Sequence, residues 1–230
     1  EEHSEIATEL YFNKKIIKGI LNVGIPNGME NGMFQLGKIV VQSLVSTFGT
    51  AAIAANAVGG RLADIMLIPG SAISLAIITV VGQCIGAGDH EQAVFYTKKL
   101  MRYVYLSTAF TGVLVFLFAG PAAQLFNLSQ EATNLAVEVL RIYAVVAALI
   151  WPMAFPFANL LRAAGDVRFT MIVSILSMMV MRVGLSYFFA YTFKLGLFST
   201  WFAMLADWVV RSTCFLIRYK SGRWKNIRVI

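Results

Sequence analysis

From residue 51 to residue 82 the chain carries only two charged side chains, Arg61 and Asp64. A helix needs about 20 mostly apolar residues to cross a hydrocarbon core, and this run exceeds that length. Five more apolar runs lie at roughly 16–46, 100–120, 134–158, 169–191 and 197–217. Hydrophobic residues make up 58% of the 230 positions and charged residues 13%. A soluble domain carries about twice that charged fraction and could not hide so much apolar surface in one core. The reading is an all-α membrane protein with six transmembrane helices. The first two runs are longer than a bilayer requires, so they should tilt, bend or protrude. Pro26 and Pro69 fall inside them, and Pro152 and Pro156 inside the fourth, each favouring a kink.

The basic residues set the orientation. Lys14, Lys15 and Lys18 precede the first run, and Lys98, Lys99 and Arg102 lie between the second and third. Arg162 and Arg168 separate the fourth and fifth, and Arg218, Lys220, Arg223, Lys225 and Arg228 follow the sixth. The opposite loops hold only Lys194. Lysine and arginine mark the cytoplasmic side, which places both termini there in a multi-pass plasma-membrane protein. The net charge of +7 is therefore a topology signal and does not point to nucleic acid. The expected organisation is a cytoplasmic linker end over 1–15, a six-helix lobe over 16–217 and a basic cytoplasmic tail over 218–230. That tail acts as a stop signal or touches anionic membrane lipid. The polar segment GDHEQAVFYTKK, residues 88–99, is expected along the inner membrane surface.

Enzymatic signals are absent from the sequence. It has no phosphate-cradling loop and no nucleophile elbow, and Cys84 and Cys214 lack metal or disulfide spacing. No cofactor is expected beyond a coupling ion, H+ or Na+.

The polar residues of the first run are more informative. At 100° per residue Asn27, Asn31, Gln35, Lys38 and Gln42 fall within about 80° of one another, with Glu30 at their flank. Lipid does not tolerate such a face, so it should turn toward the protein interior or a water-filled cavity. A carboxylate at that depth takes a proton, binds a cation or meets an arginine from another helix. Glu30 and Lys38 are about 12 Å apart along the axis, too far for a direct pair. Asp207 and Arg211, four residues apart, and Arg61 and Asp64, three apart, have the spacing of pairs on one helix face. Arg182 has no local acid and is expected to meet Glu30 or Asp207 across the bundle.

Three stretches resemble the multidrug and toxic compound extrusion (MATE) family of the MOP superfamily. They are IPNGMENGMFQLGKIVVQSLVSTFGTAAIAANAV (25–58), IPGSAISLAIITVVGQCIGAGD (68–89) and LLRAAGDVRFT (160–170). The resemblance covers essentially the whole chain. It implies the C-terminal one of two six-helix lobes, which would explain a polar, acidic start at Glu1 without methionine as the end of an interlobe linker. It also implies a secondary antiporter exchanging H+ or Na+ for cationic amphipathic compounds by alternating access. The implied partners are a small-molecule cation and either the missing N-terminal lobe or a second copy of this chain. Glu30 stands on the helix that matches the family's seventh, where some branches carry a cation- or drug-binding acid. Their tenth-helix acid has no match, since residues 144–158 contain none. The candidate substrate and ion site is therefore Asn27, Glu30, Asn31 and Gln35, with Asp207 and Arg211 contributing from the sixth run. Two alternatives stay open: a flippase of lipid-linked precursors from the same superfamily, and a non-transporting membrane scaffold.

Overall fold

A computed structural model describes residues 14–226. The helices are α1 (Lys14–Ser46), α2 (Thr50–Gly86), α3 (His90–Gln124), α4 (Gln130–Ala154), α5 (Pro156–Ala163), α6 (Val167–Ser177), α7 (Leu185–Thr192) and α8 (Leu197–Lys220). A π-helical turn, Met178–Gly184, joins α6 to α7, and a 3₁₀ turn, Arg223–Asn226, follows α8. Most of the expected linker end, residues 1–13, lies outside the described residues, as do the last four of the tail.

Five helical stretches are long and apolar enough to cross a membrane: Thr50–Gly86, His90–Gln124, Gln130–Ala163, Val167–Thr192 and Leu197–Lys220. The protein is a multi-pass membrane protein. α1 is long enough, at 33 residues, but its polar side chains set it apart from those five. The six expected runs thus correspond to six helical rods, two of them broken internally.

The breaks and turns follow local chemistry. Pro156 cannot donate to the preceding turn, and α4 ends at Phe155 (φ −121°, ψ −63°) before α5 restarts with that proline in its first turn. Pro26, Pro69 and Pro121 leave their helices unbroken. Gly88 and Gly165 end α2 and α5 with φ of 77° and 86°, which glycine adopts without strain. The amide of Asp89 then donates to the Cys84 carbonyl and that of Asp166 to the Leu161 carbonyl, both at 2.9 Å, closing each helix in a Schellman turn.

The segment 88–99 is continuous with the apolar run that follows it. Asp89 caps it by accepting from the Gln92 amide at 2.9 Å, and no breaker lies between Glu91 and Leu100. It is the first part of α3.

α2, α3, α4 and α8 form the packed body, where Ala and Val of α2, α3 and α4 share one continuous core with Leu197, Leu205 and the Trp and Phe rings of α8. Small residues let the helices close in, as membrane helix pairs require. A Cβ on Gly70 would lie 2.7 Å from Thr108 and 2.8 Å from the Trp151 ring. Gly70→Val should therefore displace Trp151 and cost about 1–3 kcal/mol by overpacking. Thermal unfolding in detergent checks this, and an unchanged midpoint would refute it.

Candidate functional site

A cavity of about 350 Å³ lies between α1, α2, α4, the π turn and α8. Phe34, Lys38 and Gln42 reach it from α1, and Asn56 and Asp64 from α2. Tyr143 and Trp151 come from α4, Phe155 from the α4–α5 break, and Arg182 from the π turn. Trp201, Met204 and Trp208 line it from α8. Their spacing of three and four residues puts them on one helix face.

The wall is aromatic and interlocked. Tyr143 meets Trp201 and Trp208 edge-on, with ring centroids 5.4 and 5.7 Å apart, and Phe155 meets Trp208 at 5.7 Å. A polar chain crosses the same wall. The Trp201 indole donates to Asn56 Oδ1 at 3.1 Å, and Asn56 Nδ2 donates to Gln42 Oε1 at 2.9 Å.

Phe34 is a meeting point for cations. Arg211 lies 4.9 Å from its centroid, Arg182 5.7 Å and Lys38 5.9 Å. Arg211 also faces Phe155 at 5.1 Å. Aromatic faces are negative and hold such groups where water is scarce.

Three ion pairs occur among the described residues. Asp207 and Arg211, both essentially inaccessible, pair at 3.3 Å as their spacing predicts. Ser177 donates its hydroxyl to the Asp207 carboxylate, and Arg211 Nη2 donates to the Ser174 carbonyl at 3.1 Å. α6 and α8 are thereby joined. Asp166 accepts both arms of Arg218, at 2.6 and 3.2 Å, at the basic end of the bundle.

The third pair concerns Glu30. Glu30 is 7% exposed and accepts from Arg162 Nη2 at 2.6 Å. Arg162 Nη1 donates to Asn159 Oδ1 at 2.8 Å, and Asn159 Nδ2 donates to Ser74 Oγ at 2.7 Å. This chain links α1, α5 and α2. Glu30 Oε2 and Arg162 Nε are buried without a hydrogen-bond partner among the described residues.

Of the six residues singled out from the sequence, none is among those lining the cavity. Glu30 is held in its ion pair and Asp207 in its own with Arg211. Asn27 is half-buried, whereas Asn31 and Gln35 are exposed on α1. The cavity's acid is Asp64. It forms no ion pair with Arg61, and neither residue is in an ion pair among the described residues. Arg182 pairs with neither Glu30 nor Asp207. Sequence reasoning passed over the aromatic wall, although the Trp201, Met204, Trp208 spacing was a visible signal.

The family model MatE matches residues 26–188. The chain belongs to the MatE family. Its resemblance to the MATE transporters was thus correctly placed, and the family comprises transporters, not enzymes. A probable multidrug resistance protein NorM of Thermotoga maritima is 28% identical over 216 residues, 93% of this chain and 46% of the relative. Multidrug and toxin extrusion protein 1 of Homo sapiens is 29% identical over 201 residues, 86% of this chain and 34% of the relative. A MATE crystal structure in the bent conformation superposes with a TM-score of 0.84 at 21% identity, covering 94% of this chain and 48% of that one. An outward-facing MATE transporter of the MOP superfamily gives 0.85 at 21% identity, covering 96% and 50%. The fold is therefore that of a MATE lobe. The chain spans about half the length of the curated MatE relatives it matches, or less.

Proposed function

We propose that this chain acts as one lobe of a secondary multidrug efflux antiporter of the cell membrane, with both termini cytoplasmic. It exports cationic amphipathic compounds in exchange for H+ or Na+ by alternating access. The supporting observation is the cavity itself: aromatic walls and one acid without an ion pair, Asp64, in a bundle of membrane-crossing helices. Ionisable groups at that depth mark substrate and ion paths. An amphipathic cation would lay its rings on Trp201 and Trp208 and its charge toward Asp64. The relatives named for multidrug resistance or extrusion support the same activity.

Glu30 is assigned the coupling charge. A proton or sodium ion arriving at its unpartnered Oε2 would compete with Arg162 and loosen α1 from α5. Asn27, Asn31 and Gln35 are assigned to the face turned toward a second lobe, supplied by the same protein or a second copy. Asp207 and Arg211 are assigned to the cavity floor, through Phe34 and Phe155.

The test uses cells expressing the protein from its complete gene and loaded with a fluorescent cationic dye. Asp64→Asn should slow dye loss about tenfold, the loss of one charged contact, with the protein still in the membrane. Dye retention by the unaltered protein, or wild-type efflux by the variant, would overturn the reading. A scaffold or a lipid flippase would leave the dye inside.

A further inference from the structure

Arg182, itself partly buried, holds its charge differently from three other arginines inside the bundle. Arg162, Arg211 and Arg218 each have a carboxylate partner. Arg182 has none among the described residues, and its Nε is buried without a hydrogen-bond partner. Its guanidinium contact is the Phe34 face, 5.7 Å away, and it lines the cavity. A guanidinium partly withdrawn from water without a carboxylate bonded to it costs free energy, which an anion entering the cavity would offset.

The rest of the wall points to the same ligand. Lys38 lines the cavity beside Arg182 over the same ring, 5.9 Å from its centroid. Asp64 is the acid among the lining residues, so cations outnumber acids two to one there. The Asp207–Arg211 pair behind Phe34 is internally neutral. The volume of about 350 Å³ lies at the small end of small-molecule sites. The tryptophan and tyrosine rings favour a planar guest. A guanidinium fork matches a carboxylate in two parallel hydrogen bonds.

We infer that this cavity binds planar aromatic carboxylates, with the carboxylate on Arg182, Lys38 in support, and the ring against the Trp201–Trp208 wall. The inference rests on reading the cavity as the substrate site. It adds a class opposite in charge to the cations assigned to Asp64. A compound carrying both groups would engage both ends.

The experiment titrates 2-naphthoate and its neutral isostere 2-naphthamide into the purified protein, expressed from its complete gene, by calorimetry. The naphthoate should bind at least about tenfold more tightly, one charge-assisted contact. Arg182→Gln should bring the two ligands within twofold, and Arg182→Lys should restore part of the preference. Equal binding of the two by the unaltered protein would overturn the inference, whether or not any variant folds. A preference that survives Arg182→Gln would also overturn it. The outcome is separable from the transport reading. Dye export with equal ligand binding sinks the carboxylate site alone, whereas naphthoate preference without dye export sinks transport alone.

Discussion

Arg211→Met is expected to cost the protein about 3–5 kcal/mol, because it strands a buried carboxylate. Asp207 is fully buried and Arg211 is 1% exposed. With the guanidinium gone, the Asp207 carboxylate keeps only the Ser177 hydroxyl as a hydrogen-bond donor among the described residues. Phe155 loses the arginine on its face as well, and Phe34 loses one of its three cations. Thermal unfolding in detergent should show a midpoint lowered by about 6–20 °C, given about 2–4 °C per kcal/mol for a chain of this size. The double variant Asp207→Leu/Arg211→Met should recover most of that loss, since replacing both ions of a buried pair is often neutral or stabilising. A single-variant shift below about 2 °C would show that water reaches the pair.

The second large effect is functional. Glu30→Gln should lower cationic dye efflux about tenfold or more while leaving folded protein in the membrane, as expected for a residue that carries the coupling charge. The substitution isolates charge from architecture. Arg162 keeps its bond to Asn159, which keeps its bonds to Ser74 Oγ at 2.7 Å and to the Ser74 carbonyl at 3.1 Å. Arg162 is therefore not left without an acceptor. Wild-type efflux with normal protein levels would reduce the Glu30–Arg162 pair to a staple between α1 and α5.

The helical rods were legible because apolarity over about 20 residues is a local property, readable without knowing any neighbour. The Asp207–Arg211 pair was legible for the same reason, since four residues fix the partner on one helix face. What depended on distant neighbours was not legible. Arg162 reads as a cytoplasmic loop residue and lies 132 positions from the acid it meets. Arg61 and Asp64 have pair spacing, yet the cavity leaves the carboxylate unpaired. The π turn at Met178–Gly184 has no signature in SMMVMRVG, but it carries Arg182 to the cavity. α3 began ten residues earlier than its apolar run because Asp89 caps it. Polarity in that segment says which side is wet, and does not say where the helix starts.

α1 is fastened along one edge. Its fixed points are Glu30 against Arg162, Phe34 beneath the cations, and Gln42 bonded to Asn56. Met29 and Leu36 are each 55% exposed beside them. Mechanically it is a batten held by clips rather than a post set in the frame. Undoing one clip shifts load to the next two, and very little core is uncovered when the batten lifts.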